Sequence, residues 1–260
     1  MSYPNPIDFA GRVAIVTGGT KGIGFVIAEH LLQAGATVIV CGRNEPEALP
    51  TVDGRSAEFR ALDVRDADAA KAMVDEVAAT HGRLDVLVNN AGGSPDADAA
   101  TVSPRFVDAI VKLNLLAPFY LAQAANAVMQ QQEDGGSIVN IGSVSAHDPQ
   151  PGTAAYSAAK AGLLMLSNSL ALEWAPKVRV NHITTGLIMT EAAASGYGEN
   201  GGAALSKIIP MKRMAVPADV AKTCLFLSSD LGAYLNGVDI AVHGGGEYPG
   251  RFLLTRDQGE

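Results

Sequence analysis

The segment RVAIVTGGTKGIGFVIAEHLLQAG, residues 12–35, decides the fold of this chain. Its first part, Val13 to Val16, is apolar and rich in β-branched residues, as is typical of a strand that is buried on both faces. A turn containing Gly18, Gly22 and Gly24 follows, and apolar residues then recur at helical spacing until a further glycine ends the pattern. A strand, a glycine turn and a helix in this order are the context in which glycines bind the pyrophosphate of a dinucleotide. The alternative is a tight turn without a ligand.

The length and composition of the chain restrict its class. With 260 residues, we expect residues 1–260 to form a single dinucleotide-binding and catalytic domain. The net charge of −8 and the lack of a Lys/Arg run argue against a nucleic-acid partner. Apolar stretches contain Gly, Pro or charge well before the roughly eighteen residues that a membrane-spanning helix needs. The start of the chain lacks the pattern of a secretion signal, so we expect a cytoplasmic protein with no membrane partner.

Cysteine and histidine give no sign of a metal site. Cys41 and Cys224 are far apart and match no metal-ligand spacing, so we expect two buried thiols in a reducing compartment. The five histidines form no ligand cluster in the sequence. We therefore predict a site without a metal.

Apolar strand-like runs alternate with helical patterns along the chain. This alternation predicts an α/β fold with a single Rossmann-type doubly wound parallel sheet of about seven strands and helices on both faces. The predicted strands are 12–17, 36–41, 57–62, 84–89, 136–142, 178–183 and 238–242. The predicted helices are 22–34, 67–81, 104–132, 154–175 and 217–229. Residues 44–56 contain two prolines and are too few for a full crossover helix, so we expect a turn or a stub there.

A second group of residues indicates chemistry at a reacting oxygen. Lys160 follows Tyr156 by four residues, so the two side chains share one face of a helix. A nearby cation favours the charged form of a phenol, which makes such a tyrosine a plausible proton donor and acceptor. Ser143 ends the apolar run SIVNIG and could hold the same oxygen. Taken alone, the Tyr/Lys pair could equally be an ordinary surface pair.

The ordered set of motifs resembles the short-chain dehydrogenase/reductase family. The set consists of T-G-x-x-x-G-x-G from Thr17, N-N-A-G at 89–92, and then Asn114, Ser143, Tyr156 and Lys160. The resemblance covers roughly residues 10 to 246, and it implies hydride transfer between NADP(H) or NAD(H) and a carbonyl or alcohol substrate. It further implies that Tyr156 is the acid and base and that Ser143 orients the substrate oxygen. Lys160 would stabilise the tyrosinate and bind the nicotinamide ribose, and Asn114 would hold a water that links Lys160 to solvent. A helix-bending polar residue is the alternative for Asn114.

The resemblance also implies the residues that bind the cofactor. Those of the glycine turn are Gly18, Thr20, Lys21, Gly22, Ile23 and Gly24. Asp63 would accept from the adenine amino group and Val64 would offer its backbone, while Asn90, Ala91 and Gly92 would line the adenine ribose. In the segment TTGLIMT, Gly186, Ile188 and Thr190 would hold the nicotinamide carboxamide. Thr185 stands where the family usually has proline, which relaxes the backbone constraint.

The end of the second strand favours NADP(H) over NAD(H). An acidic residue there would bind the ribose 2′-hydroxyl and repel a 2′-phosphate. Gly42 occupies that position, Arg43 follows it, and Lys21 lies in the glycine turn. Two cations and no acid suit a 2′-phosphate, which arginine can bind bidentately. NAD(H) remains possible if both cations are simply solvated.

Substrate contacts and assembly are less closely specified. We expect Gly93, Ser94, Pro95, Ser143, His147, Gln150, Pro151, Tyr156 and Leu187 to face a small carbonyl or alcohol; a loop role is the alternative for His147. A lid near 187–210, rich in Gly and Ala at 192–206, and a tail at 247–260 with an apolar cluster at 252–254 complete the chain. The helices 104–132 and 154–175 carry apolar residues round most of their circumference, so we predict a homo-oligomer, a homotetramer rather than a dimer. The alternatives are an NAD-linked alcohol dehydrogenase, a dehydratase or epimerase, and a non-catalytic nucleotide-binding regulator.

Overall fold

The computed structural model describes residues 7–148, 150–191, 193, 198–249 and 251. Its strands are β1 Val13–Thr17, β2 Thr37–Gly42, β3 Thr51–Val52, β4 Arg55–Ser56, β5 Glu58–Ala61, β6 Val86–Asn89, β7 Gly136–Ile141, β8 Val178–Thr185 and β9 Asp239–Val242. Seven of them form one parallel sheet in the order β5-β2-β1-β6-β7-β8-β9. The predicted sheet is confirmed, and the ends of each strand lie within about two residues of the predicted ends.

The helices are α1 Gly22–Gln33, α2 Ala67–His81, α3 Pro104–Val111, α4 Ala117–Met129, α5 Ala154–Trp174, α6 Gly198–Ile208 and α7 Pro217–Ser228. Short 3-10 turns cover Val144–Ala146 and Asp230–Gly232. The predictions for α1, α2, α5 and α7 are confirmed. The predicted helix 104–132 is instead composite: a π-helical turn, Lys112–Leu116, joins α3 to α4, and α4 ends at Met129.

The segment expected to be a lid contains α6, which the sequence did not predict. Several glycines lie in Gly198–Ile208, and glycine is among the weakest helix formers, so the local sequence carries little helical signal. Residues 192 and 194–197 of the same segment lie outside the described residues, as does the apolar cluster at 252–254 in the tail.

The interval 44–56 contains a short hairpin rather than a helix. β3 and β4 pair antiparallel, and the two residues between them, Asp53 and Gly54, have φ values of 50° and 75°. Two central residues with positive φ are typical of the tight hairpin turn that Asp-Gly favours. The expectation of a turn or stub is confirmed, and the Asp-Gly pair was the signal that would have specified a hairpin.

Both faces of the sheet are covered, which explains why its strands are apolar throughout. On one face α2, α4 and α5 contribute Met73, Leu121 and Leu170 to the core. On the other face α1 and α7 contribute Leu31 and Val220. A strand with helices on both sides buries every side chain, so no polar alternation is needed. Cys41 and Cys224 lie in these two cores as buried free thiols, as predicted.

The order of the strands locates the expected ligand crevice. β1 lies between β2 and β6. The chain first adds β2 and β5 on one side of β1 and then crosses over to add β6 on the other side. In open parallel sheets, ligands bind at the carboxyl ends of the strands where the order reverses in this way. The glycine turn that follows β1 opens at this point.

One helix meets a length-and-composition criterion for a membrane span. The continuous run Pro104–Met129 has 26 residues and a mean hydropathy of 1.2 in its most apolar window. It also carries Ala117, Leu121 and Ala125, which are buried in the core beside the sheet. The absence of a membrane partner therefore stays a prediction.

Candidate active site

The turn after β1 fits a pyrophosphate. Gly18 and Gly22 have φ values of 61° and 56°, a left-handed conformation that side chains rarely adopt. At Gly24 an added Cβ would overlap the side-chain amide of Asn90 and lie 2.6 Å from the carbonyl oxygen of Gly18. No side chain among the described residues caps α1 at Lys21, so the first N–H groups of that helix remain available to a ligand.

Thr17 and Asn90 hold this turn in shape. The hydroxyl of Thr17 accepts hydrogen bonds from the backbone N–H groups of Asn90 and Ala91, both at 2.9 Å. The side-chain amide of Asn90 donates to the carbonyl oxygen of Thr17 at 2.9 Å. Asn90 therefore links the ends of β1 and β6, and its contact with a ribose stays a prediction. Thr17 was missed in the sequence as a site residue, although it begins the glycine motif.

The carboxyl end of β2 offers cations and no acid. A Cβ on Gly42 would lie 3.3 Å from the hydroxyl of Thr20, so the glycine turn packs closely on this strand end. Arg43 and Lys21 are both exposed, and neither forms an ion pair within the described part of the chain. Two unpaired cations beside the turn can bind a phosphate without first breaking a salt bridge.

Asp63 is paired with Arg65, a partner that the sequence pattern does not indicate. Oδ2 of Asp63 lies 2.6 Å from Nη2 of Arg65, and Oδ1 accepts from Nε of Arg65 at 2.9 Å. The hydrogen bonds from Arg65 lower the pKa of Asp63 to about 2. An adenine amino group would have to share this carboxylate with Arg65. Val64, beside it, is buried.

Ser143, Tyr156 and Lys160 lie together beside the end of β7. Lys160, on α5, is almost completely buried, and its Nζ donates to the carbonyl oxygen of Ile141 at 2.7 Å. Nζ lies 5.7 Å from the centre of the Tyr156 ring. Ser143 lies two residues after the end of β7, with its hydroxyl near enough to Tyr156 to lower the pKa of the phenol. The i, i+4 spacing on one helix has brought the ammonium beside the phenol, as expected.

The pKa values of this pair differ from the simple expectation. Burial raises the pKa of Tyr156, and the hydrogen bond from Ser143 only partly offsets that effect. Burial also lowers the pKa of Lys160 from 10.5 to about 8. A nearby cation by itself would favour the charged phenol and lower its pKa. Desolvation is the largest cause of both shifts, because each charged form loses water in this pocket.

Asn114 lies on the π-helical turn and clamps a loop. Its Oδ1 accepts from the N–H of Gly93 at 2.8 Å, and its Nδ2 donates to the carbonyl oxygens of Gly93 and Ile110 at 3.0 and 2.9 Å. A Cβ on Gly92 would lie 2.8 Å from Oδ1 of Asn114 and 3.4 Å from Nζ of Lys160. Asn114 therefore distorts its helix, as the alternative had it, and also lies close to Lys160, as the water relay requires.

The segment after β8 is held more firmly than Thr185 suggested. The hydroxyl of Thr185 donates to the carbonyl oxygen of Gly142 at 2.8 Å, which compensates for the missing proline. Further along, Ile188 pairs with Ala215 as an isolated parallel bridge. A Cβ on Gly22 would lie 3.8 Å from the methyl group of Thr190, so this segment reaches the glycine turn.

Two cavities flank this group of residues. One has a volume of about 340 Å³ and is lined by Val144, Asp148, Gln150, Gly186, Leu187, Ile209, His243, Gly246, Glu247 and Pro249. The other has a volume of about 210 Å³, is mostly apolar, and includes Ser94 and Tyr156 in its wall. Gln150 and Leu187 line the first cavity and Ser94 lines the second, and their contact with a substrate stays a prediction. Asp148, His243 and Glu247 were missed, because isolated polar residues in loops carry no sequence signal.

His147 takes the loop role rather than a position on either cavity. Its Nε2 lies 3.0 Å from Oδ2 of Asp239 and 3.3 Å from the hydroxyl of Thr184. Neither partner was identified from the sequence. Within the described residues, no group of three or more His, Cys, Asp or Glu side chains could hold a metal ion.

Known proteins resemble this chain over almost its whole length. A family model described as Enoyl-(Acyl carrier protein) reductase matches residues 18–247. D-threitol dehydrogenase of Mycolicibacterium smegmatis is 38% identical over 241 residues, which cover 90% of this chain and 92% of the relative. A structure described as a short-chain alcohol dehydrogenase from Sinorhizobium meliloti 1021 has a TM-score of 0.83 and 36% identity, and it covers 93% of this chain and 98% of its own. A structure described as an NAD(P)-dependent gluconate 5-dehydrogenase from Beutenbergia cavernae, with NADP bound at low occupancy, has a TM-score of 0.83, 34% identity and the same two coverages.

Proposed function

Because this chain belongs to the short-chain dehydrogenase/reductase family of NAD(P)-dependent oxidoreductases, we propose that it interconverts a secondary alcohol and a ketone with Tyr156 as acid and base. The observation that carries this proposal is the meeting of Ser143, Tyr156 and Lys160 at the carboxyl end of the sheet, next to the glycine turn. A bound nicotinamide cofactor would supply or accept the hydride. The hydroxyl of Ser143 orients the substrate oxygen, and the phenol exchanges the proton with that oxygen.

The perturbed pKa values support different roles in the two directions. The raised pKa of Tyr156 keeps the phenol protonated near neutral pH, so it can donate a proton to a developing alkoxide. For alcohol oxidation the same group must lose its proton, and this becomes easier as the pH rises. Lys160, with a pKa of about 8, is positioned to stabilise the tyrosinate below that pH.

NADP(H) is the cofactor that we propose this protein prefers. Arg43 and Lys21 lie beside the strand end where a 2′-phosphate would be bound, and neither forms an ion pair in the described residues, although Asp63 is close enough to feel the charge of Arg43. The binding of NADP by the relative from Beutenbergia cavernae is consistent with this choice. NAD(H) remains the alternative, which direct binding measurements separate.

We propose a small polyhydroxylated alcohol as the substrate. The 340 Å³ cavity reaches Val144, the neighbour of Ser143, and is lined by Asp148, Gln150, His243 and Glu247, which offer several hydrogen-bond donors and acceptors. Threitol and gluconate, named for two of the relatives, are compounds of this kind. The cavity's mixture of polar side chains with Leu187 and Ile209 suits a short carbon chain that carries hydroxyl groups.

Assembly and location complete the proposal. On α5, the side chains of Met165 and Leu172 are 64% and 85% exposed, which leaves apolar surface uncovered in a single chain. We propose that this face and the helix 104–129 form the main contact of a homotetramer, and that the protein is cytoplasmic.

A panel of substrates tests the proposed function. D-threitol, other neutral tetritols and pentitols, and gluconate are each incubated with NADP or NAD, and the nicotinamide absorbance is followed with wild type and Tyr156→Phe. We expect wild type to reduce NADP with at least one neutral polyol and Tyr156→Phe to be inactive. Tight cofactor binding without turnover of any member, or of the matching ketones, would instead favour the regulator. Turnover without net consumption of NADP(H) would favour the epimerase or dehydratase.

A further inference from the structure

Asp239, at the start of β9, is the centre of a hydrogen-bonded group outside the catalytic residues. Its Oδ1 accepts from Nδ1 of His182 and from the hydroxyl of Thr184, both at 2.8 Å. Its Oδ2 lies 3.0 Å from Nε2 of His147. Burial alone would raise the pKa of Asp239, but the hydrogen bonds from His182 and Thr184 outweigh it and lower that pKa. The carboxylate thus joins its own strand β9 to β8 and to the loop that carries His147.

His182 is the part of this group that needs an explanation. Its side chain is completely buried, and its Nε2 has no hydrogen-bond partner among the residues that the structure describes. The ring lies so close to Gly142 that a Cβ on that residue would overlap it. Gly142 directly precedes Ser143 and is also held by the hydroxyl of Thr185 at its carbonyl oxygen. A large ring buried beneath a glycine fixes the height of the backbone from which the catalytic hydroxyl projects.

His147 holds the other end of the same segment. The 3-10 turn Val144–Ala146 starts at Ser143, whose hydroxyl accepts from the N–H of Ser145 at 3.2 Å. The turn ends at His147, whose side chain is 46% exposed on the sheet's edge and bound to Asp239. The carboxylate of Asp239 therefore binds His182, which lies beneath the start of the turn, and His147, which lies at its end.

We propose that Asp239 is a positioning residue for Ser143. Through His182 it supports Gly142, and through His147 it fixes the far end of the turn, so that the serine hydroxyl stays aligned with the phenol. This inference rests on the proposed function for its catalytic consequence. The structural part, an ordered segment 142–147, stands on the contacts alone.

A double-mutant cycle tests whether Asp239 acts through Ser143. The variants are Asp239→Asn, Ser143→Ala and their combination, assayed with D-threitol and NADP or, if this polyol is inactive, with the panel member that is turned over. Asp239→Asn should lower kcat about 10- to 100-fold, the effect expected of a misplaced catalytic group, and leave the Kd of NADP unchanged. In the Ser143→Ala background it should have almost no further effect. Full additivity in the cycle would overturn the proposal, because a general loss of structure would add to any other defect.

Two control variants separate positioning from folding. Asp230→Asn removes a carboxylate that is paired with Arg12 at 2.9 Å and is 73% exposed, and it should leave kcat unchanged. His147→Gln alters the most exposed side chain of the group, at 46% against 24% for Asp239, so it should fold normally. It should lower kcat less than Asp239→Asn does, in the same non-additive manner with Ser143→Ala. An unchanged kcat in both His147→Gln and Asp239→Asn would refute the positioning role.

Hydrogen exchange gives a readout that does not depend on turnover. In Asp239→Asn the amides of residues 142–148 should exchange about tenfold faster or more, while those of the glycine turn after β1 keep their protection. Unchanged exchange at 142–148 would overturn the proposal even in an active enzyme. Faster exchange together with no turnover of any substrate by wild type would keep the positioning network and reject the proposed function.

Discussion

We predict that the free energy of unfolding depends on pH because Lys160 is buried. The substitution Lys160→Met should remove this dependence. The pKa of this lysine is about 8 in the folded protein, against 10.5 as its usual value, because the side chain is buried. Between these two values the unfolded chain binds more protons than the folded one. The free energy of unfolding should therefore rise with pH across this interval, and below about pH 8 the full penalty of the buried charge is present.

The size of the effect follows from the two pKa values. One pKa unit corresponds to about 1.4 kcal/mol, so the complete penalty is about 3 kcal/mol, and roughly 2 kcal/mol of it is relieved between about pH 7 and pH 9.5. Between about pH 7 and pH 9.5, the unfolding free energy of wild type should therefore rise by roughly 2 kcal/mol relative to that of Lys160→Met. Loss of the hydrogen bond to Ile141 changes the offset between the two proteins but not this shift.

Urea unfolding followed by the fluorescence of Trp174, the single tryptophan of the chain, measures this difference at a series of pH values and one protein concentration. Lys222→Met, at an exposed position of α7, is the matched control and should give a constant difference from wild type. If the curves of wild type and Lys160→Met stay parallel across the interval, Lys160 is not buried as a charge and its assigned role is wrong.

Three further predictions concern the reaction, the cofactor and the assembly. Tyr156→Phe should lower kcat by at least about 10²-fold, the usual contribution of acid–base catalysis, with an unchanged Kd for NADP by calorimetry; retention of most of the rate would remove Tyr156 from the mechanism. Arg43→Asp should reduce the ratio of NADP to NAD affinity about tenfold or more, since a charge-assisted hydrogen bond is replaced by repulsion, and an equal ratio in both proteins would make Arg43 a solvated bystander. Leu172→Glu should dissociate the oligomer in light scattering, whereas the exposed control Lys222→Met should not; a monomeric wild type at micromolar concentration would exclude the proposed interface.

The sheet could be predicted from the sequence because its strands are buried on both faces and stand out as apolar runs. The signals failed where local composition and final structure disagree. Glycines hide the helical character of α6, and the π-helical turn depends on contacts of Asn114 with Gly93, which no periodicity reports. The Asp-Gly pair between β3 and β4 is typical of a hairpin turn, so the hairpin could have been predicted in place of a simple stub.

The catalytic group could be predicted because its members follow one another at short, fixed spacings. Ser143, Tyr156 and Lys160 are positioned by one strand end and one helix, so local geometry decides their meeting. The pairing of His182 with Asp239 spans 57 residues and depends on two strands becoming neighbours. Asp63 and Arg65 are only two residues apart, but the loop between β5 and α2 that carries them could also have turned their side chains away from each other.

A row of polar residues nevertheless crosses four neighbouring strands and connects residues that are far apart in the sequence. In register, Asn89 pairs with Asn140, Asn140 with His182, and His182 with Asp239. Side-chain hydrogen bonds join the first pair at 2.9 Å and the last at 2.8 Å. A polar side chain inside an apolar strand loses hydration, so each such residue needs a partner, and a neighbouring strand is the nearest source. This row passes through His182, which lies beneath Gly142, so it forms the polar layer of the sheet that supports the serine at the carboxyl edge.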